Sequence, residues 1–168
     1  MPQYEIIKYP SPILRNKSEA ISNNEATKLR ELIHDMAIVM KKKDGLGLAA
    51  PQIGKNIRLA IINTKDGVLA LINPKITNKS WKKEIGEEGC LSIPGIFGMV
   101  KRHVKIDVMA LDANGKEISF PAKGLFARVI QHEVDHLNGI LFIDRTKKIV
   151  RGKEILKKME KKEAAEKI

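Results

Sequence analysis

The sequence predicts an α+β fold in which antiparallel β-sheets pack around a central helix, with a further helix before them and another after. Two observations carry this expectation. Apolar residues recur at helical spacing in three segments, near 22–43, 124–138 and 149–162, while the stretch between the first two is broken into short β-rich runs. Asp66-Gly67 and Asn114-Gly115, turn pairs of the kind that close hairpins, punctuate those runs. Helix, antiparallel strands, then a helix packed against them is the order of an α+β arrangement. No repeat or low-complexity linker interrupts the 168 residues, so the chain reads as a single domain, 1–168, with a core of 1–148 and a basic C-terminal helix of 149–168.

The first helix is expected over 22–43. Ser22 or Asn24 can cap its start, Leu29, Leu32, Ile33, Met36 and Met40 make its apolar face, and Gly45 ends it. The runs 58–63, 68–73, 104–111 and 117–120 are the expected strands. The second helix covers 124–138, with Leu125, Val129, Ile130, Val134 and Leu137 on one face and Asn138-Gly139 as its stop. The third, 149–162, has only a thin apolar stripe of Ile149, Leu156 and Met159, which lets its first half dock while its end projects into solvent.

Composition narrows the function classes. Hydrophobic residues make up 43% and charged residues 30%, which is the balance of a soluble globular protein. No apolar run approaches the ~20 residues of a membrane span, and the first residues lack the pattern of a secretory signal. A single cysteine cannot form an internal disulfide and suits a reducing compartment. The cytoplasm is the expected location; a mature organellar protein would look the same. Of the net charge of +11, +6 falls in residues 145–168, a bias that suits a polyanionic partner. The plainer reading of that tail is a solvated helix.

The chemistry concentrates in His132-Glu133-Val134-Asp135-His136. Positions four apart share one helix face, so two imidazoles converge on a point, and Glu133 lies beside it as a base for a metal-bound water. Only four histidines are present, and two fall at this spacing around a glutamate. A catalytic site of this type needs three protein ligands and an open position. Cys90 is the best candidate for the third, with Glu88 and Asp135 as weaker rivals; alone, it would read as a small buried hydrophobe. Asp135 fits better as a supporting or surface acid. The stretch Gly45-Leu46-Gly47-Leu48-Ala49-Ala50-Pro51-Gln52 lets backbone approach backbone or ligand closely, with Gln52 as its one side-chain hydrogen-bond donor. A tight loop behind the core would explain the glycines equally.

GLGLAAPQ (45–52), EGCLS (88–92) and QHEVDHLNG (131–139), in this order and spacing, resemble the three signature motifs of the peptide deformylases. The likeness extends through LINP (71–74), the Val100–Arg102 region, GLFARVIQ (124–131) and LFIDR (141–145). The resemblance implies a mononuclear metal hydrolase that removes the formyl group from N-formyl-Met nascent peptides. It implies that Cys90, His132 and His136 bind one divalent metal ion, Fe(II) in cells, with Zn(II), Ni(II) or Co(II) able to replace it. It also implies that Glu133 is the general base and then acid, and that Gln52 and the Leu91 amide hold the developing oxyanion. The peptide would lie extended beside a strand, its Met side chain in an apolar pocket; Leu46, Gly47, Gly89, Leu125 and Val129 are the candidates to contact it. Deformylases resembling this chain dock on ribosomes through a C-terminal helix, which makes the ribosome the expected partner of the tail. A monomer is expected.

Two other readings compete on the residues alone. A peptidase cutting internal bonds shares the His pair and Glu133 but takes a His or Glu as third ligand. An RNA-binding module with a structural metal would need four ligands, and only three good ones are offered.

Overall fold

The computed structural model describes residues 3–167. Ser22 starts the first helical segment with a capping box. Its hydroxyl accepts from the Glu25 amide, and the Glu25 carboxylate accepts from the Ser22 amide. The expected single helix is in fact two, α1 (Asn23–Ala26) and α2 (Arg30–Lys42). Lys28 and Leu29 donate three residues back, to Glu25 and Ala26, and the Thr27 hydroxyl bonds the Asn24 carbonyl, so the longer-range ladder lapses there. The chain leaves α2 through Asp44, which takes the left-handed conformation, and not through Gly45. Gly45 instead lets the chain pass close to its neighbours: a Cβ there would sit 2.9 Å from the end of the Leu91 side chain and 3.2 Å from Met40 Cγ.

The strands are β1 (Gly47–Ala49), β2 (Leu59–Thr64), β3 (Gly67–Lys79), β4 (Lys83–Cys90), β5 (Ile93–His103), β6 (Lys105–Leu111) and β7 (Glu117–Lys123). Then come α3 (Gly124–Leu137), α4 (Phe142–Arg145), β8 (Lys148–Arg151) and α5 (Lys153–Glu166). One sheet runs β1-β2-β3-β6-β7 and the other β4-β5-β8, and every paired strand is antiparallel. Alternation along β2 and β3 divides their side chains between two cores. Leu59, Ile61, Ala70 and Ile72 meet Met36, Val39 and Met40 of α2, whereas Ile62 and Leu71 join β6 against Ala127, Ile130 and Val134 of α3. A third core, with Ile93, Ile96, Val100, Phe142 and Leu156, closes the small sheet against α4 and α5. The helix α3 is therefore held between the sheets, as expected of the central helix.

The β-rich runs around 58–73 and 104–120 are strands, but β1, β4, β5 and β8 were not anticipated. β4 is dominated by charge and glycine, and β5 contains Pro94, Gly95 and Gly98, residues that read locally as a turn. The third helix also needs correction, since 149–151 are strand and the helix begins at Lys153. Gly152 separates the two with φ +81°, and a Cβ there would lie 2.3 Å from the Gly95 carbonyl oxygen. The end of α5 does not project freely either. Arg15 donates to Glu163 at 3.1 Å and to Asp144 at 2.6 Å, which ties the last turns to the N-terminal segment. Among the described residues no helix is long and apolar enough to cross a membrane.

Candidate metal centre

Helix α3 sets His132 and His136 one turn apart, and Cys90 reaches them from the last position of β4. One donor atom from each lies within 4.8 Å of the others. The Cys90 Sγ is 3.3 Å from His136 Nε2. His132 donates from Nδ1 to Glu88 Oε1 at 2.8 Å, which fixes its tautomer and leaves Nε2 for a cation. Glu88 and Asp135, the rival third ligands, are engaged elsewhere. Two imidazole nitrogens and a cysteine sulfur form a donor set that fits a borderline-soft divalent ion.

The charges suit that occupant. Burial opposes protonation of both imidazoles, yet Cys90 and Glu88 draw His132 well above the ordinary histidine value. Burial, with His132 beside it, pushes His136 well below that value. The two imidazoles are thus driven apart, His132 toward its charged form beside Glu88 and His136 toward its neutral, ligating form. Glu133 lies alongside, 4% exposed, with Oε2 lacking a protein partner. Burial above all, with Glu88 nearby, raises its carboxyl to about 7 despite the opposing pull of His132. Gly47 makes space for it: a Cβ there would meet Glu133 Oε1 at 2.6 Å.

Gln52 is buried on the short 3-10 turn after β1. Its Oε1 accepts from the Ala49 amide at 2.9 Å, which orients the side-chain amide. Its Nε2 donates to Ser92 Oγ at 3.1 Å and lies 3.5 Å from Cys90 Sγ, so one of its two hydrogens faces the cluster. Leu91 occupies the turn between β4 and β5. A cleft of about 940 Å³ opens over these groups, and Leu46, Gly47, Gly89, Leu125 and Val129 all line it, with Leu46 and Leu125 largely exposed.

Three arginines outside the three signature motifs hold this geometry; the resemblance ran through the segments that carry them but gave them no role. Arg102 on β5 is 4% exposed; its Nε and Nη2 each donate to Glu88 at 2.9 Å and its Nη1 donates to Asp135 at 2.5 Å. Arg128 adds a 2.7 Å bond to Glu88. Arg145 clamps Asp135 from the other side, at 2.5 and 2.7 Å. Burial would lift the Glu88 carboxyl, but Arg102 and His132 hold it well below the usual carboxylate range. The only sequence signal was a second acid beside Cys90 and another inside the histidine motif, each needing a basic partner if buried.

The family profile described as Polypeptide deformylase matches residues 3–152. The chain belongs to the polypeptide deformylase family. Its sequence is 46% identical to the peptide deformylase of Syntrophomonas wolfei over 145 residues, covering 86% of this chain and 94% of that one. The fold superposes on the crystal structure of peptide deformylase from Thermotoga maritima with a TM-score of 0.82 at 39% identity, covering 86% and 97% of the two chains. It also matches the class I type b peptide deformylase of Acinetobacter baumannii bound to Met-Ala-Ser, with a TM-score of 0.81 at 34% identity, covering 86% and 99%. Its activity is that of the deformylases, metal-dependent hydrolysis of the N-formyl group of nascent peptides.

The Glu88–Arg102–Asp135 network makes a stability prediction. Replacing Arg102 by Met removes the partner shared by two buried carboxylates, leaving Glu88 to Arg128 and His132 and Asp135 to Arg145, and should cost up to about 3–5 kcal/mol, read by urea denaturation at neutral pH. In the native protein Glu88 titrates below its unfolded value, so its ionised form stabilises fully above about pH 4.3 and progressively less as pH falls beneath it. Stability of the native chain that is flat from pH 6 down through ~pH 3 would contradict this linkage.

Proposed function

We propose that Cys90, His132 and His136 hold one divalent ion, Fe(II) in the cell, and that Glu133, Gln52 and the Leu91 amide carry out deformylation around it. The observation that supports this most is the unpartnered, buried Glu133 carboxylate beside three converging donor atoms. When bound, the ion supplies Lewis acidity, lowering the pKa of water from 15.7 toward about 7 so that a nucleophile is available at neutral pH. Glu133 receives the proton of the attacking water on its carboxylate and returns it to the departing amine nitrogen. A carboxyl raised to about 7 is matched to both transfers. Gln52 Nε2 and the Leu91 N–H donate to the formyl oxygen as charge grows there, stabilising the transition state more than the ground state. Formate and a free α-amine result.

The peptide lies extended along β4, an edge strand of its sheet, as in strand addition. Gly89 permits close approach, the Met side chain sits between Leu125 and Val129, and Leu46 and Gly47 flank the formyl end. The bound Met-Ala-Ser of the Acinetobacter relative supports a peptide in this cleft. The chain, 1–168, acts as one domain and as a monomer, in the cytoplasm; a mature organellar form would look the same. The lysines of α5 that face away from Leu156, Met159 and Glu163 dock on ribosomal RNA; Zn(II), Ni(II) or Co(II) can occupy the site after purification.

Glu133→Gln should keep its metal and lose most of its turnover, about 10²-fold or more, because the ligands survive and proton transfer does not; near-wild-type kcat at full metal content would refute the assignment. Fe(II)-loaded enzyme should lose activity in peroxide while the Ni(II) form persists, since Fe(II) and an adjacent thiolate are both oxidisable. Equal inactivation rates would show that iron is not the weak point. Reversing Lys158, Lys161 and Lys162 to Glu should spare hydrolysis of a short formyl-Met peptide and weaken co-sedimentation with ribosomes, which for the native chain should decline steeply with salt. Unchanged co-sedimentation would leave the tail a solubilising helix.

A further inference from the structure

Far from the metal, the β3–β4 connection carries Lys79-Ser80-Trp81-Lys82-Lys83, and none of these residues lines the active-site cleft. Trp81 is the only tryptophan in the chain and is fully exposed, the reverse of how such a large ring is normally placed. Its backbone is nonetheless firmly held. Ser80 donates to the Lys105 carbonyl at 2.9 Å, Val104 donates to the Lys82 carbonyl at 3.0 Å, and the Ser80 hydroxyl bonds Lys82 and receives the Lys105 amide. His103 Nδ1 donates to the Ser80 carbonyl at 2.6 Å. The ring is therefore presented on a braced support with nothing packed on either face.

Ser80 also lines a separate groove of about 500 Å³ whose rim carries Lys79, Lys105 and Lys123. Lys105 and Lys123 lie directly opposite one another across β6 and β7, where like charges repel unless an anion sits between them. With Lys82 and Lys83 there are five ammonium groups here. Glu84, 3.5 Å from Lys82, and Asp107 in the groove are the acids that face them. An exposed ring beside a lysine-lined groove has the two elements that bind unpaired nucleotides: a face for base stacking and a track for phosphates. An apolar protein partner would leave the lysines unmatched, and duplex RNA would leave the ring unused.

We infer that this connection and its groove form a binding surface for single-stranded RNA, with Trp81 as a base-stacking platform and Lys79, Lys105 and Lys123 on the phosphates. Because Trp81 is the sole tryptophan, its fluorescence reports this site alone. Titrating the metal-loaded enzyme with an oligouridylate of about ten nucleotides should quench that fluorescence, since single-strand sites span roughly 4–16 nucleotides. The dependence of log affinity on log salt should have a slope of about −2, as expected for three phosphates neutralised on a single strand. Lys105→Glu with Lys123→Glu should abolish most of the quench. Trp81→Phe should retain binding to a fluorescein-labelled oligouridylate, and Trp81→Ala should weaken it by roughly tenfold. Both Trp81 variants should hydrolyse a short formyl-Met peptide at the native rate. Absence of quenching, equal affinity for Trp81→Ala and native enzyme, or stronger quenching by phosphatidylserine vesicles than by the oligonucleotide would each overturn the inference.

Discussion

Arg102 is the constraint on which the site depends. It is a buried guanidinium from the small sheet, shared between Glu88 on β4 and Asp135 on α3. Cys90 comes from one of those elements and His132 and His136 from the other, and no covalent link fixes their separation. A buried ion network has a large desolvation cost and little tolerance for poor geometry, which makes it a weak source of stability and a strong source of registry. Here it sets the distance between strand and helix, and with it the spacing of the three donor atoms. Because Glu88 also receives the His132 Nδ1 proton, the same network orients the imidazole that it positions.

The surroundings of Glu133 follow from that placement. Holding α3 between two sheets buries Glu133, and burial is what lifts its carboxyl toward neutrality. Small residues at Gly45 and Gly47 give the β1 segment its close approach, so that Gln52 can reach the cluster with its amide fixed by Ala49 and Ser92. The three motifs are thus one packing unit, in which glycine supplies proximity, the helix supplies convergence and the strand end supplies the thiol.

The C-terminal segment joins this frame more closely than its composition suggests. β8 completes the small sheet, Leu156 and Met159 enter the third core, and Glu163 pairs with Arg15. Basic charge on α5 is consequently displayed on a docked helix, and the β3–β4 connection displays more of it on a braced loop.

Local sequence alone determined the α+β class, the helix carrying the histidine pair, the hairpin turns and the three motif clusters, because helical periodicity, turn chemistry and i, i+4 spacing are properties of neighbours along the chain. Cys90 could be named as the best third ligand only by elimination and by likeness to a family. The tertiary structure decided what depends on partners distant in sequence. β4 and β5 form strands despite their glycines, proline and charges because Glu88 and Arg102, fourteen positions apart, neutralise each other in the interior. The expected first helix divides where short-range bonds displace its ladder, and the third yields 149–151 to a strand because β5 offers an edge for pairing. Local propensity is a matter of tenths of a kcal/mol per residue, whereas a buried charge without its partner costs several, so long-range pairing prevails wherever the two disagree.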